Sequence, residues 1–145
     1  MKRLRGFWMK CIDTTYFVDI IRRPGSVRRL TEKLDAEGVH ATTTINVFEA
    51  MFGAFAIGGE KGEKIRRKLT EAFSRVEVLE FSYRDAVLAA EIGGRLRKRG
   101  RHVGLDVITA AIAINNGCES VVTRNEKHFK WIEEETGLKV EAYEV

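Results

Sequence analysis

The stretch from Gly104 to Asn125 decides the fold, and it reads GLDVITAAIAINNGCESVVTRN. Its first half is apolar on nearly every side and closes at Asn116-Gly117, which predicts a helix buried on several faces. The β-branched run at 121–123 lacks polar alternation, which is typical of an inner strand of a parallel sheet. Asp106 lies at the start of the helix and Asn125 at the C-terminal end of the strand. Because ligands bind at that end of the strands in open α/β sheets, the stretch predicts a site there.

Strands and helices alternate along the rest of the chain. Further strands are predicted at 9–13, 40–43, 76–81 and 138–140. Further helices are predicted at 14–21, 26–35, 45–57, 62–73, 82–99 and 126–136. This alternation indicates the α/β class, with a three-layer α/β/α sandwich around a central, mainly parallel five-stranded sheet.

Length and composition indicate one soluble globular domain. The chain has 145 residues and a formal net charge of +4, which favours a polyanionic partner without establishing one. Cys11 and Cys118 form neither a CxxC pair nor a disulfide framework, so a reducing cytoplasm fits best. The sequence predicts no export signal and no membrane span.

Three acidic residues are candidates for chemistry. Asp13 follows the first strand and Asp106 opens a helix, so each alone is explained as a helix cap or a first-turn acid. Glu49 shares the helical spacing of Ile45, Phe48, Phe52 and Ala56, which predicts that its carboxylate points at the core. A buried carboxylate needs a cation or a basic partner, and an arginine is the alternative to a metal.

The functional interpretation of the three acids is stronger when they are considered together. Asp13 and Asn125 end two predicted parallel strands, while Asp106 and Glu49 lie in early turns of helices that begin at the same edge. Three carboxylates without histidine or thiolate suit Mg²⁺ or Mn²⁺, and such a set is typical of phosphodiester hydrolysis. There is no GxGxxG motif after the first strand and no P-loop motif, so dinucleotide and nucleotide-triphosphate binding are not supported.

Four segments in this order and spacing resemble the PIN-domain family, in particular the VapC-type toxin ribonucleases of bacterial and archaeal toxin–antitoxin pairs. The segments are 11–14 (CIDT), 44–49 (TINVFE), 106–111 (DVITAA) and 122–129 (VTRNEKHF). The resemblance covers nearly the whole chain from Met9. Because such domains begin a few residues before the first aspartate, it implies a domain at 9–145 and a basic N-terminal extension at 1–8.

The resemblance implies a metal-dependent endoribonuclease in which Asp13, Glu49 and Asp106 bind Mg²⁺ or Mn²⁺. Asn125 completes the catalytic set, at a position where the family commonly has a fourth acid. His128 stands where a later aspartate is frequent. With fewer negative charges, weaker binding of a second metal is expected. The implied reaction is attack of a metal-activated water on an RNA phosphate.

Further residues are assigned roles around this set. Thr14 and Thr123 are expected to orient carboxylates or water, with strand-end capping as the alternative. Arg124 is placed to contact either phosphate or Glu49. Phosphate contacts are also expected from the basic residues before Asp106, for which a solvated helix end is the alternative. These residues are Arg95, Arg97, Lys98, Arg99 and Arg101.

The implied partners are the RNA substrate, a second copy in a homodimer, and a cognate antitoxin. The segment 48–55 is a candidate contact for either protein partner, with core packing as the simpler explanation. The alternative function is a catalytically weak PIN-like module that binds RNA or protein, since Asn125 replaces an acid.

Overall fold

A computed structural model describes residues 9–145 of the chain. The basic extension predicted at 1–8 lies outside the described residues. Between residues 9 and 145, none of the helices combines the length and the apolar composition needed to cross a membrane.

Strands and helices alternate in the predicted order. The strands are β1 (Cys11–Ile12), β2 (Ala41–Thr43), β3 (Glu77–Leu79), β4 (Ser120–Thr123) and β5 (Lys139–Ala142). The helices are α1 (Thr14–Arg22), α2 (Arg28–Glu37), α3 (Thr44–Ile57), α4 (Gly59–Phe73), α5 (Tyr83–Lys98), α6 (Asp106–Asn115) and α7 (Glu126–Thr136). A short 3₁₀ turn, Pro24–Val27, precedes α2. The predicted Ser82 cap is confirmed, because the Ser82 side chain accepts a hydrogen bond from Asp85 N and the Asp85 carboxylate accepts one from the Ser82 backbone N–H.

The sheet is wholly parallel, with strand order β3-β2-β1-β4-β5. The predicted α/β class and five-stranded sheet are therefore confirmed. β4 pairs with β1 on one side, where Cys11 lies opposite Val121, and with β5 on the other, so it is an inner strand, as its β-branched sequence without polar alternation predicted. β3 and β5 form the edges.

Helices cover both faces of the sheet. Cys11 and Val121 belong to an apolar cluster that includes residues of α5, α6 and α7. Ile12 and Val122 belong to the opposite cluster, which is shared with α1 to α4. Because successive strand residues alternate between the two clusters, the inner strands have no solvent face and the chain forms three layers.

The core-facing stripe predicted on α3 is wrong. Phe48 and Phe52 are 56% and 63% exposed. The side chains that α3 buries are those of Asn46, Ala50 and Ala54. The reason is close packing against α4, where a Cβ added at Gly62 would lie 2.6 Å from the Ala54 carbonyl oxygen. Only small side chains allow two helices to approach so closely, so the alanines face inward and the phenylalanines face outward.

Candidate active site

Asp13 follows β1 and is buried between neighbouring elements. Its Oδ1 accepts a hydrogen bond from Asn46 Nδ2 at 3.0 Å, and its Oδ2 accepts one from Thr123 Oγ1 at 2.8 Å. Asp13 occupies the N-cap position of α1, yet its side chain makes no capping hydrogen bond. Helix capping therefore does not account for the placement of this carboxylate.

The surroundings of Asp13 disfavour its negative charge. Burial is the largest cause and raises its pKa to about 6, although the Thr123 hydrogen bond acts in the opposite direction. The charges of Asp106 and Glu49 raise the pKa further. The hydrogen bonds to Asp13 therefore do not fully offset the cost of burying its negative charge.

Glu49 lies in the second turn of α3 and is half-buried. Its Oε1 accepts a hydrogen bond from Thr14 Oγ1 at 2.7 Å. Neither Lys nor Arg from residues 9–145 forms an ion pair with Glu49, so the arginine partner considered as the alternative is not present in the described chain. A hydroxyl group alone does not neutralise the carboxylate.

Asp106 begins α6 and is contacted by two side chains that follow β4. Asn125 Nδ2 lies 3.0 Å from Asp106 Oδ2, and His128 Nδ1 lies 2.9 Å from the same oxygen. Burial raises the pKa of Asp106, the nearby His128 lowers it, and the charge of Glu49 raises it. The helix mouth and the strand end therefore meet, as their order in the sequence predicted.

Asp13, Glu49 and Asp106 come from three distant parts of the chain to the same end of the sheet. They are close enough for their charges to act on one another. Within residues 9–145, however, no three acidic, histidine or cysteine side chains already converge as metal ligands do. The all-oxygen donor set fits Mg²⁺ or Mn²⁺ by its chemistry, and cation binding would have to draw the carboxylates together.

The two predicted threonines contact the acids, and a third polar residue joins them. Thr14 donates to Glu49 and Thr123 donates to Asp13. Asn46 was not predicted, although it contacts both Asp13 and Thr14. The available signal was a polar residue one turn before Glu49 in an otherwise apolar helix.

The predicted RNA-contacting group lies at and just beyond the C-terminal end of α5, and most of its members make ion pairs with α7. Arg95 and Arg99 contact Glu135 at 3.7 Å and 3.1 Å, and Arg101 contacts Glu134 at 2.7 Å. By contrast, two members are exposed and form no ion pair with residues 9–145. They are Arg97 and Lys98.

The predicted contact of Arg124 with Glu49 is wrong. Arg124 instead binds the buried Asp19 at two points, with Nε at 2.9 Å from Oδ2 and Nη2 at 3.2 Å from Oδ1. The Tyr143 hydroxyl donates to the same carboxylate at 2.7 Å. Arg124 satisfies Asp19, whose side chain is wholly buried, while its own side chain is 38% exposed.

The chain is similar to a known family in sequence and to known proteins in structure. A family model described as the PIN domain matches residues 10–134. No curated protein matches the sequence. Among solved structures, the chain is similar to one in the complex of VapBC2 from Rickettsia felis with promoter DNA, at 25% identity and a TM-score of 0.79, covering 94% of this chain and 99% of that one.

Two further structures show the same fold. One is the DNA-bound VapBC of Salmonella typhimurium, at 24% identity and a TM-score of 0.75, with 93% of this chain and 98% of that chain covered. The other is VapBC-5 from Mycobacterium tuberculosis, a member of the VapBC family of toxin–antitoxin systems, at 21% identity and a TM-score of 0.70, with 93% and 98% covered.

Proposed function

The chain belongs to the PIN domain family, and on that premise we propose that it is a Mg²⁺- or Mn²⁺-dependent endoribonuclease that acts as the toxin of a VapBC-type toxin–antitoxin pair. One observation carries the proposal. The carboxylates of Asp13, Glu49 and Asp106 lie at the same C-terminal end of the sheet, close enough for their charges to act on one another, and no Lys or Arg of residues 9–145 forms an ion pair with them. Acids grouped without a lysine or arginine partner are suited to a cation.

These three residues would hold the cation. When bound, Mg²⁺ or Mn²⁺ would supply an activated water and neutralise charge that develops on the phosphate. Thr123 fixes the rotation of the Asp13 carboxylate, and Thr14 fixes that of Glu49. The Asn125 amide and the His128 ring contact the Asp106 carboxylate and restrict its rotation.

Arg97 and Lys98 support binding of the RNA backbone. Both are exposed and lack an ion-pair partner among residues 9–145, so they are free to contact phosphates. The other basic residues of this surface form ion pairs with acids on α7, so they are less available to RNA phosphates. Arg124, which already binds Asp19, supports the proposal least.

A protein partner is supported by the outward face of α3. Phe48, Phe52 and Phe55 are 56%, 63% and 64% exposed and follow one another along the helix. Large apolar side chains grouped on a surface mark protein contacts. We assign this face to a protein partner, either the antitoxin or a second copy of the chain. A cytoplasmic location is consistent with Cys11 and Cys118, which are buried and form no disulfide.

The test is cleavage of single-stranded RNA by the purified protein. We expect cutting with Mn²⁺ or Mg²⁺, none after EDTA, and none by Asp13→Asn or Asp106→Asn, both of which should still unfold cooperatively. Asp35→Asn, which changes an exposed acid on α2, is the matched control and should cut like the wild type. Cutting by both site variants would contradict the site.

A second candidate function is RNA or protein binding without catalysis. It is favoured by the contacts of Asp106. The Oδ2 atom of Asp106 already lies within hydrogen-bond distance of the Asn125 amide nitrogen and the His128 ring nitrogen, so it is less available to a cation. RNA binding that persists while Mn²⁺ produces no cleavage would support this alternative.

A further inference from the structure

We infer that Asn46 is a positioning residue whose side-chain amide keeps the carboxylates of Asp13 and Glu49 beside one another at the end of the sheet. The inference deepens the proposed function and rests on it for its consequence, because these carboxylates are proposed to bind the cation. Asn46 is 0% exposed and lies on α3, three residues before Glu49. A wholly buried amide so close to two acids must have all its polar atoms bonded.

The amide nitrogen of Asn46 has two hydrogens, and both are used at the site. One goes to Asp13 Oδ1 at 3.0 Å and the other to Thr14 Oγ1 at 2.9 Å. Since the Thr14 hydroxyl accepts from Asn46, its own hydrogen is available to Glu49 Oε1, which lies 2.7 Å away. Asn46 therefore reaches one carboxylate directly and the other through Thr14.

The orientation of the amide is fixed by the hydroxyl on its other side. Asn46 Oδ1 accepts from Thr43 Oγ1 at 2.8 Å, while the same hydroxyl accepts from the Asn46 backbone N–H at 3.2 Å. A reversed amide would place its oxygen against Asp13 Oδ1, with two acceptors and no hydrogen between them. Only one orientation satisfies every group.

This chemistry requires asparagine at position 46. Serine or threonine has one hydrogen to donate, leucine has none, and aspartate would set a further negative charge against Asp13. Glutamine is one methylene longer and does not fit a side chain enclosed on every side. The amide thus restrains two carboxylates whose like charges would otherwise drive them apart.

A matched pair of substitutions tests the inference. Asn46→Leu removes both donors at nearly constant volume. Asn115→Leu is the control, because Asn115 Nδ2 also donates to an aspartate, Asp85 Oδ1 at 2.8 Å, at the end of α6 away from the site. The Mn²⁺ dissociation constant is measured by electron paramagnetic resonance without RNA, so that it does not depend on activity.

Asn46→Leu should raise the Mn²⁺ dissociation constant about 10- to 100-fold, the usual effect of removing a group that orients metal ligands. Asn115→Leu should change it by less than about twofold, as expected for a distant, independent site. A folded Asn46→Leu protein that binds Mn²⁺ as tightly as the wild type would overturn the inference.

A second measurement uses the metal-free protein. Asn46→Leu and Thr14→Val remove the same hydrogen bond, so the loss of Tm in the double variant should be smaller than the sum of the single losses. The losses from Asn115→Leu and Thr14→Val should add. Additive losses for Asn46→Leu and Thr14→Val would contradict the positioning role.

The two measurements separate this inference from the proposed function. A wild-type protein that binds no Mn²⁺, but shows the non-additive Tm losses, would refute the metal-dependent function and support the positioning by Asn46. If Asn46→Leu does not fold, Asn46→Ser, which keeps one donor, enters both measurements and should show the same changes in smaller degree. Wild-type behaviour of that variant in both would overturn the inference.

Discussion

Asp13 and Thr123 are 110 residues apart in the chain and are joined by a 2.8 Å hydrogen bond between the ends of the neighbouring strands β1 and β4. The bond stabilises a carboxylate whose pKa is nevertheless raised to about 6, chiefly by burial. The fold therefore tolerates the charged form of Asp13 at a loss of stability. The loss can be measured as a change in the free energy of unfolding when Asp13 is replaced.

Asp13→Asn should stabilise the metal-free protein at neutral pH. A shift from 3.8 to about 6 corresponds to about 3 kcal/mol, from which weaker hydrogen bonding will subtract. Because the folded-state pKa lies above the unfolded value, the contribution of Asp13 to the free energy of unfolding should rise as the pH falls from about 7 to about 4 and should not change further below that. Urea unfolding at several pH values tests this, and an equal pH slope in Asp13→Asn would contradict it.

Arg124→Ala should lower the free energy of unfolding more than Arg97→Ala or Lys98→Ala. It leaves the buried Asp19 with fewer donors, at a cost of about 1–3 kcal/mol. Arg97→Ala and Lys98→Ala should change the free energy of unfolding by less than about 0.5 kcal/mol.

The same three variants should rank in the opposite order in RNA binding. Arg97→Ala and Lys98→Ala should each weaken binding and lower the salt slope by about 0.7. Titrations of single-stranded RNA at several salt concentrations measure both quantities. An unchanged salt slope in both variants would remove these residues from the RNA surface.

Phe52→Glu should disrupt a protein contact without unfolding the domain. Phe52 is 63% exposed, so the free energy of unfolding should change by less than about 0.5 kcal/mol. Sedimentation velocity should show a wild-type dimer and a monomeric variant if a second copy covers α3. Tyr83→Glu, at an aromatic residue 84% exposed on α5, is the control. A monomeric wild type would leave the antitoxin as the occupant.

Gly62→Ala should destabilise the domain by about 1–3 kcal/mol, because its methyl group would lie 2.6 Å from the Ala54 carbonyl oxygen. Gly53→Ala should instead raise the free energy of unfolding. Nothing lies within 4 Å of a Cβ at Gly53 in α3, so the better helix propensity of alanine should stabilise the protein by about 0.5–1 kcal/mol. Thermal or urea unfolding of the two variants tests the pair.

The order of the elements could be predicted because several local signals agreed. β4 has a β-branched sequence without polar alternation, α6 closes at Asn116-Gly117, and Ser82 caps α5, so each local preference matches the final structure. The meeting of Asp106 and Asn125 also followed, since parallel strands place their C-terminal ends at one edge.

The inward face of α3 and the role of Asn46 could not be predicted in the same way. α3 is apolar on nearly every side, so hydrophobic spacing does not identify its buried face. That face depends on how closely α4 approaches, which is a tertiary effect. Likewise, the pairing of Arg124 with Asp19 joins residues 105 apart, and no sequence period links them.

The strand order also sets when the site can exist during synthesis. β1 leaves the ribosome early, but its neighbour β4 is made about a hundred residues later, and Asn125 and His128 later still. A nascent chain that lacks them holds Asp13 without Thr123 and Asp106 without either of its partners. Since domains complete their folding after the last required segment emerges, the site can assemble only after residues through His128 have left the ribosome.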